Sequence, residues 1–569
     1  MDVGKHQRAG DDVDTYPDWP NLPSMMLDRA VSWPDRSMLR HFRNGSWHRV
    51  TWSEFARQVH AAAGWLRKIG FSPGDRVLIV SENRPEYPIS ETALMALRMV
   101  PVPAYVSNTA DDHAHIIRDS GARAAIVSAP ALAKRVQDAG LPGPVVVMDE
   151  APAGTVPWAE LMAARSPPSL VAEAAAISGE TLACLLYTSG TGGAPKGVML
   201  PHRSILSNCR GAFALLRPLK LGDETYLSYL PIAHSYEHTV GQFFLPSIGC
   251  ELIYGRGAEH LASDMLSARP TILTAVPRVL EVVRGRILGQ IAREPAWKRT
   301  LFQHALSIGL KKADRYSLTI AERLADPILD RLVRTKIRAR FGGQIKGIVS
   351  GAARLEPDVG RFFLAMGLLL IQGYGQTEAG PVISANPPDA VRIDTVGRPL
   401  EGVELRIALD GEILVRGGLI MHGYWNLAKD TADATRDGWL HTGDIGELDA
   451  DGYLRITDRK KDMIVLSGGE NISPAKIECL LTAEPEIAQA VVLGDRSASL
   501  SALLVPIDGA GDPAVSAAVS RVNARVSVTE RVRRHALVPP FSVENGLLTP
   551  SHKVRRREVI RRYRDLVDS

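Results

Sequence analysis

Residues 187–197 read YTSGTGGAPKG, which places one lysine in a loop of glycine and hydroxyl residues after an apolar run. The apolar run at 182–187 predicts a buried strand, and the glycines predict a sharp loop at its end. Glycines let backbone N–H groups approach anionic oxygens, hydroxyls add donors, and an ammonium group offsets phosphate charge. The segment therefore suits a polyphosphate, with a solvent-exposed turn as the plainer alternative.

Two widespread nucleotide motifs do not fit this loop. Pro195 stands where the P-loop pattern GxxxxGK[ST] needs glycine, and Gly197 stands where that pattern needs the hydroxyl that binds magnesium. The Rossmann pattern GxGxxG is absent as well.

Outside this loop, the first several hundred residues alternate helical and strand patterns. Thr51 and Glu54 form a capping box that begins a helix, and Gly70 ends it. Further short apolar runs predict buried strands at 77–80, 124–127, 272–276, 345–349 and 368–371. Residues 277–341 carry Arg, Lys, Leu and Ala without strand signals, which predicts inserted helices. This alternation is typical of parallel α/β layers.

From residue 403 the pattern changes to hairpins, with Asp410-Gly411 joining 404–409 to 412–416 and a second tight turn at 451–452. After residue 458 it returns to α+β, with strands expected at 490–493 and 502–505. We therefore expect an α/β fold in two domains. The large N-terminal domain (1–457) has layered α/β subdomains plus a β-rich subdomain. A hinge at 458–461 precedes a small mobile α+β domain (462–569).

Composition fits a soluble enzyme-sized chain, because 45% of the 569 residues are apolar and 23% are charged. The longest apolar run, 362–371, has ten residues, about half of the ~20 that span a bilayer. The N-terminal residues lack the apolar segment of a secretory signal, so we expect a cytoplasmic protein. Four cysteines lie far apart in sequence and are expected to be reduced core thiols: Cys184, Cys209, Cys250 and Cys479.

Positive charge is concentrated at the C-terminal end. The net charge is +4, whereas residues 521–569 hold twelve Lys and Arg against five Asp and Glu, a balance of +7. Such an end could meet phosphate, anionic lipid or nucleic acid. Tyr563 is the only aromatic residue in 542–569, too few for base stacking, so no nucleic-acid partner is expected. A solvated helix face accounts best for most of these charges. Peripheral membrane contact is the secondary interpretation, because four apolar residues lie beside the arginines: Val554, Val559, Tyr563 and Leu566.

Four more motifs follow the loop in order. They are YGQTE at 374–378, TGD at 442–444, DRKKD at 458–462 with SGGEN at 467–471, and PSHK at 550–553. Together with the loop, this series resembles the adenylate-forming superfamily, which includes acyl-CoA synthetases and luciferases. The resemblance covers residues 53–557. Gly192 departs from it, because the family usually carries Thr there, so one phosphate contact is missing.

These residue types suit the activation of a carboxylate on ATP, which brings two anions together and requires charge neutralisation. Glu378 follows a predicted strand and offers a hard oxygen ligand for Mg²⁺, while Thr377 offers a hydroxyl to the α-phosphate region. Asp444 has two acceptor oxygens for the ribose hydroxyls. Taken singly, each residue could equally be a capped turn or a surface acid.

The resemblance implies roles for individual residues. Lys553 is the expected catalytic lysine on the mobile domain, assisted by Glu378, Thr377 and Lys196. Lys461 is the expected hinge residue, and Tyr374 is expected to pack on the adenine ring. Glu378 and Thr191 are the expected metal ligands. The residues expected to bind nucleotide are Thr188, Ser189, Gly190, Thr191, Gly192, Gly193, Lys196, Gly351, Ala352, Tyr374, Gly375, Gln376, Thr377, Asp444, Arg459 and Lys553.

The acid is suggested by LPIAHSYEH at 230–238 and VPRVLE at 276–281, which resemble long-chain fatty acyl-CoA synthetases. That resemblance implies an acyl site formed by His234, Tyr236, Ser350, Gly351 and Gly373. Gln376 stands where long-chain enzymes usually carry an apolar residue, so medium-chain and aromatic acids stay open as substrates. Residues 234–238 also spell HxxEH, a zinc-protease pattern, although that reading needs both histidines on a helix plus a third ligand.

The acceptor is suggested by GGENISP at 468–474, which resembles CoA ligases and places Gly468, Gly469 and Glu470 on the CoA side. We expect a two-step ligase that uses ATP, Mg²⁺ and coenzyme A on a fatty acid. The alternative is a fatty acyl-AMP ligase that loads an acyl carrier protein. A binding module is a third hypothesis, and the oligomeric state is left open, with a homodimer as one option.

Overall fold

The computed structural model describes residues 15–165, 169–188, 194–460, 463–467, 470–495, 497–549, 554–563 and 566. Its α-helices are α1 (Leu22–Ser32), α2 (Trp52–Lys68), α3 (Glu86–Ala96), α4 (Ala110–Ser120), α5 (Pro130–Asp138), α6 (Trp158–Met162), α7 (Leu170–Ala175), α8 (His202–Leu216), α9 (Leu245–Ser247), α10 (Leu261–Ala268), α11 (Pro277–Ala292), α12 (Ala296–Ala313), α13 (Ile320–Leu329), α14 (Thr335–Ala339), α15 (Pro357–Ala365), α16 (Ala428–Ala434), α17 (Pro474–Thr482), α18 (Asp512–Asn523) and α19 (Arg556–Arg562). Segments Glu237–Phe244 and Asp330–Arg334 are π-helical, and Thr377–Ala379 forms one 3₁₀ turn.

The strands are β1 (Ser37–Arg43), β2 (Ser46–Thr51), β3 (Arg76–Val80), β4 (Val100–Ala104), β5 (Ala124–Val127), β6 (Val145–Val147), β7 (Val156–Pro157), β8 (Leu182–Thr188), β9 (Lys196–Pro201), β10 (Thr225–Ser228), β11 (Glu251–Tyr254), β12 (Ile272–Ala275), β13 (Gly347–Ser350), β14 (Leu370–Gly375), β15 (Val382–Ala385), β16 (Arg398–Pro399), β17 (Val403–Ile407), β18 (Glu412–Gly417), β19 (Gly423–Tyr424), β20 (Thr435–Arg436), β21 (Trp439–Leu448), β22 (Leu454–Arg459), β23 (Ile464–Val465), β24 (Asn471–Ile472), β25 (Ile487–Leu493), β26 (Leu500–Pro506) and β27 (Val532–Leu537).

The large N-terminal domain is built on several sheets. Nine strands form one sheet in the order β16-β15-β14-β13-β12-β10-β11-β1-β2, and β4-β3-β5-β6-β7 form a second, parallel sheet. A short antiparallel sheet joins β19, β9 and β8, while β17, β18, β20, β21 and β22 make the β-rich part. Helices cover the parallel sheets, so the α/β class and the small α+β C-terminal domain are confirmed.

Local sequence signals correctly placed many of these elements. The Thr51 hydroxyl accepts the Glu54 N–H at the start of α2, whose Phe55 and Val59 are buried. The expected strand at 124–127 matches β5. Two later strands begin and end further along than predicted, since β13 ends at Ser350 and β14 continues to Gly375. An apolar run indicates that a segment is buried, whereas hydrogen bonding to neighbouring strands determines where the strand ends.

The insertion between β12 and β13 is helical, as predicted. Helices α11 to α14 make up this insertion, and their buried residues share a core with α15 and one side of the nine-stranded sheet. The buried residues of this core include Leu280, Ile287, Phe302 and Leu329. Within the residues that the structure describes, no helix has both the length and the apolar content needed to cross a membrane.

The small C-terminal domain has its own core. Strands β25, β26 and β27 form a sheet that α17 and α18 cover on one face. Helix α19 packs on the other face, where Val559 is fully buried and Tyr563 lies against Phe541. Of the apolar residues expected at 554–566 to face a membrane, Val559 is part of this core, whereas Val554 and Leu566 are exposed, so membrane contact at this end stays a prediction. Periodicity identifies an apolar helix face but not what covers it.

The four cysteines are free thiols. Cys184, Cys209 and Cys250 are fully buried, as expected of core thiols. Cys479 lies on α17 and donates its thiol to the Glu356 carboxylate of the large domain. Burial and that carboxylate raise the pKa of Cys479 to about 12, so the sulfur stays protonated at this contact.

Candidate active site

The glycine-rich loop closes a β-hairpin. Thr188 at the end of β8 pairs with Lys196 at the start of β9, and the His115 ring contacts the Pro195 carbonyl oxygen at 2.8 Å. This fixes both ends of the loop next to α4. The predicted nucleotide residues Ser189, Gly190, Thr191, Gly192 and Gly193 lie outside the described residues, as does the predicted metal ligand Thr191 among them.

Tyr424 joins the loop lysine to the predicted metal ligand. Its strand, β19, pairs with β9, so that Tyr424 lies opposite Val198 and beside Lys196. The Lys196 Nζ lies 4.9 Å from the centre of the Tyr424 ring, and the Tyr424 hydroxyl donates to Glu378 Oε1 at 2.8 Å. Lys196 Nζ also lies 3.3 Å from Asp430 Oδ1. The face of the Tyr424 ring thus contacts the Lys196 ammonium, while the hydroxyl of the same residue binds the Glu378 carboxylate.

The Tyr424 hydroxyl is a stable donor. Burial and the adjacent Glu378 carboxylate raise the pKa of Tyr424 well above its ordinary value, so the phenol stays protonated. Glu378 itself is half-buried, and its Oε2 forms no hydrogen bond with any described residue.

These donors fit a magnesium ion held mainly by its substrate. Among the residues that the structure describes, no group of three His, Cys, Asp or Glu side chains could hold a metal ion. Mg²⁺ is often bound by one or two carboxylates, with substrate phosphates and water completing its shell. Glu378 with one unpaired carboxylate oxygen matches that mode of binding.

Thr377 connects this group to the predicted acyl site. Its hydroxyl lies 2.9 Å from that of Ser235, next to His234 and Tyr236. The Tyr236 hydroxyl donates to the Val349 carbonyl at 3.1 Å, and its ring lies against the backbone of Gly351, where an added Cβ would lie 3.5 Å from the ring. The structure thus brings most of the predicted acyl-site residues together.

Three predicted site residues are held by packing within the sheet. Ser350 is fully buried on β13, and its hydroxyl has no hydrogen-bond partner among the described residues. Gly373 and Gly375 lie where β14 pairs with β15, and a Cβ at Gly375 would come 1.9 Å from the Pro381 oxygen. Because backbone occupies that position, glycine is required for the sheet itself. Ala352 adopts a left-handed backbone with φ of 67° directly after β13.

Asp444 lies at the centre of the predicted ribose site. It is buried on β21, where its Oδ2 accepts the Tyr374 hydroxyl at 2.6 Å and its Oδ1 accepts Arg459 Nε at 3.0 Å. Burial and the Asp444 charge raise the pKa of Tyr374 well above its ordinary value. A carboxylate oxygen can accept two hydrogen bonds, so each oxygen keeps one acceptor position for a ribose hydroxyl.

The predicted site residues of the C-terminal domain are only partly described. Lys553, Lys461, Gly468 and Gly469 lie outside the described residues. Glu470 is exposed beside the β23–β24 hairpin, where its carbonyl accepts the Leu466 N–H at 3.0 Å. Gln376 is half-buried between β14 and Thr377.

Residues 27–425 match the family model of the AMP-binding enzymes, and residues 461–569 match the model of their C-terminal domain. The chain belongs to the AMP-binding enzyme family. This confirms the resemblance to the adenylate-forming superfamily.

Curated relatives of this AMP-binding enzyme extend over most of its length. A long-chain fatty acid–CoA ligase of Mycobacterium tuberculosis is 34% identical over 579 residues, covering 95% of this chain and 96% of that protein. Long-chain fatty acid–CoA ligase 1 of Cavia porcellus is 32% identical, covering 87% of this chain and 78% of that protein. The chain is thus an adenylate-forming ligase of the acyl-CoA synthetase type.

Solved structures share the fold. The o-succinylbenzoate–CoA synthetase of Bacillus subtilis, in complex with ATP and a magnesium ion, matches with a TM-score of 0.71 at 21% identity, covering 94% of this chain and 98% of that one. A benzoate–CoA ligase of Burkholderia xenovorans matches with a TM-score of 0.73 at 20% identity, covering 95% and 99%. At these identities the likeness concerns the fold alone.

The HxxEH segment of the AMP-binding enzyme is not a zinc site. Glu237 is buried, and its carboxylate accepts the hydroxyls of Ser228 and Tyr226, each at 2.6 Å. His238 is also buried and contacts Glu91 Oε1 through Nε2 at 2.7 Å. His234 precedes the helix, which starts at residue 235, and no group of three possible metal ligands is found among the described residues. The motif therefore serves two separate buried hydrogen-bond networks.

Burial raises the pKa of Glu237 to about 7, although the three surrounding hydroxyls oppose that shift. Asn83 supports the neighbouring loop, because its amide donates to Ser228 Oγ at 2.9 Å and its oxygen accepts the Ile232 N–H at 3.0 Å. Sequence reasoning missed Asn83 and Tyr424. Neither carries a local signal, since Asn83 binds residues more than a hundred positions away and Tyr424 contacts Glu378 and Lys196, which lie 46 and 228 positions away.

Proposed function

We propose that this enzyme is a long-chain fatty acid–CoA ligase that works in two steps. The observation that carries the proposal is the Lys196–Tyr424–Glu378 group together with the Tyr374–Asp444 pair, since Tyr374 and Glu378 belong to one short segment, 374–378. One part presents charges suited to a triphosphate, and the other presents acceptors suited to a ribose. Relatives that are named long-chain fatty acid–CoA ligases support the substrate class.

In the first step, the fatty carboxylate attacks the α-phosphorus of ATP. A bond forms between the acyl oxygen and phosphorus, and the bond from phosphorus to the bridging oxygen breaks to release pyrophosphate. Lys196 offsets charge on the phosphates, and Thr377 orients the α-phosphate region. Bound at Glu378, Mg²⁺ would supply further neutralisation of phosphate charge. Lys553 is proposed to bridge the carboxylate and the α-phosphate.

In the second step, the thiol sulfur of CoA attacks the acyl carbon, the bond to AMP breaks, and the thiol proton leaves to solvent. We infer that Lys461 is the hinge about which the C-terminal domain withdraws Lys553. The same rotation would bring Gly468, Gly469 and Glu470 towards CoA. AMP is a good leaving group here because its phosphate is already held by the site.

Pyrophosphate release, measured across acids from acetate to stearate with benzoate included, tests the substrate class. The proposal expects the highest kcat/KM for long alkyl chains. A maximum at benzoate or at a short acid would contradict the long-chain substrate class but would still agree with a ligase reaction. Supplying either CoA or an acyl carrier protein then identifies the acceptor, and acylation of the carrier alone would favour the acyl-AMP ligase.

Lys553→Ala tests the alternation of domains. We expect adenylate formation to fall by about 10²-fold to 10³-fold, because one charge-stabilising group is lost. Thioester formation from supplied acyl-adenylate should be largely kept. Arg561→Ala is the matched control, since Arg561 is an exposed cation on the same domain that pairs only locally, with Glu558. Equal loss of both half-reactions in Lys553→Ala would exclude the alternation.

A further inference from the structure

The helical insertion is a second strongly basic part of this chain. Residues 277–340 hold fifteen Lys and Arg against six Asp and Glu, a net charge of +9. Residues 521–569 carry +7, in a protein whose net charge is only +4. The basic character is therefore shared between the C-terminal end and this insertion, and not confined to that end.

Within this insertion, α13 exposes its apolar face. Ile320, Leu324 and Ile328 repeat every four residues, so they lie along one side of the helix. Their exposed fractions are 79%, 71% and 60%, and Leu332 continues the line at 45%. We call these four residues the apolar stripe. Scattered exposed apolar residues are ordinary, whereas a continuous exposed line on one helix indicates a contact surface.

The opposite side of α13 holds this orientation in place. Glu322 pairs with Lys311, and Asp326 accepts Lys312 at 2.8 Å and Arg334 at 2.6 Å. Leu329 is buried against α12 and its neighbours. An amphipathic helix normally packs its apolar face inward. Here the acids face the protein and the stripe faces outward, because ion pairs to α12 and to the following turn fix the helix.

Cations border the apolar stripe. Arg323 and Arg331 are exposed on α13 and in the turn after it, and neither forms an ion pair with a described residue. Tyr316, which is 69% exposed, precedes the helix beside Arg315. Apolar residues flanked by arginine and an amphipathic aromatic ring are the composition of helices that lie in the headgroup region of membranes.

We propose that α13 docks this protein on the surface of a bilayer that contains anionic phospholipid. The apolar stripe inserts between headgroups, and the +9 charge of the insertion attracts the anionic surface. Charge complementarity favours this occupant over a second copy of the chain. In a two-fold symmetric contact the same patch meets itself, so Arg323 and Arg331 of both copies would repel each other. The proposal rests on this surface alone and not on the substrate.

Flotation with vesicles tests the proposal. The probe is phosphatidylcholine mixed with phosphatidylglycerol, compared with pure phosphatidylcholine. The triple variant Ile320→Ser, Leu324→Ser and Ile328→Ser should partition more than about tenfold less onto the anionic vesicles. A matched triple variant at exposed apolar residues elsewhere should bind as wild type: Val31→Ser, Leu409→Ser and Val528→Ser.

A second variant separates the contribution of charge to vesicle binding from that of the apolar side chains. Arg323→Gln with Arg331→Gln should weaken binding to anionic vesicles about fivefold or more, and added salt should reduce that difference. Ligase activity on a soluble acid should stay unchanged in all three variants, which shows that the fold is kept. Wild type that fails to float at low salt, or a stripe variant that floats equally, would overturn the proposal. So would sedimentation showing that the stripe variant converts a dimer into a monomer.

Discussion

Glu378 and Glu237 are two glutamates near the same sheet whose surroundings differ in one respect. Glu378 is half-buried, receives one hydroxyl from Tyr424, and lies near the ammonium of Lys196 across that ring. Glu237 is fully enclosed, receives hydroxyls from Ser228 and Tyr226, and has no cation among the groups that shift its pKa. Water and a nearby cation keep a carboxylate ionised, whereas burial among neutral donors favours its protonated form. The same side chain thus lies in a half-open site near a cation in one place and in an enclosed site among neutral hydroxyls in the other.

The largest effect should come from removing the charge of Glu378. Glu378→Gln keeps an acceptor for Tyr424 but loses the anionic oxygen, so adenylate formation should fall by about 10²-fold or more. The Mg²⁺ concentration for half-maximal rate should rise. Steady-state pyrophosphate release over a magnesium titration measures both. Glu237→Gln is the matched control, and an equal loss in that variant would remove the functional distinction between the two glutamates.

A smaller loss of activity should follow from removing the hydrogen bond to Glu378 while the carboxylate itself is kept. Tyr424→Phe deletes the hydroxyl that donates to Glu378 and keeps the ring under Lys196. Loss of one charged hydrogen bond should lower kcat/KM about tenfold. Tyr424→Leu removes the ring as well and should cost about threefold more. If the two variants were equally active, the ring would have no part in placing Lys196.

The smallest change in activity, with a distinct change in stability, is expected at Glu237. Its pKa is about 7 when folded and near 4.5 when unfolded, so its contribution to stability is complete below pH 4.5. That contribution is lost as the pH rises through 7, and amounts to at most about 3 kcal/mol. Thermal melting of wild type and Glu237→Gln at pH 5 and pH 8 measures it. The wild type should lose more stability than the variant over this interval, and parallel curves would show that Glu237 is ionised throughout.

Much of the fold follows from short-range signals in the sequence. Apolar runs placed β3, β5 and β8, and the Thr51 cap placed the start of α2, since burial and capping depend on neighbouring residues. The ordered motifs predicted Glu378 and Asp444 as site residues through the family resemblance. Tyr424 could not be found this way. Its role depends on β19 pairing with β9, which lies more than two hundred residues earlier.

The helical pattern of a sequence shows that a helix has an apolar face, but not whether that face is buried or exposed. Both α13 and α19 have such a face. Only packing decides that Val559 of α19 is buried in its domain while Ile320 of α13 is exposed. The reason is that ion pairs from Glu322 and Asp326 orient α13, and their partners lie on α12 and beyond the helix.

By itself, the sequence determined the α/β class, the family and the chemical types at the predicted nucleotide site, because each depends on residue identity and local order. The tertiary structure decided which of those groups act together and in what state of charge. Distances between segments far apart in sequence, and the exclusion of water from some of them, are properties of packing. They place Glu378 beside Tyr424 and turn the apolar face of α13 outward.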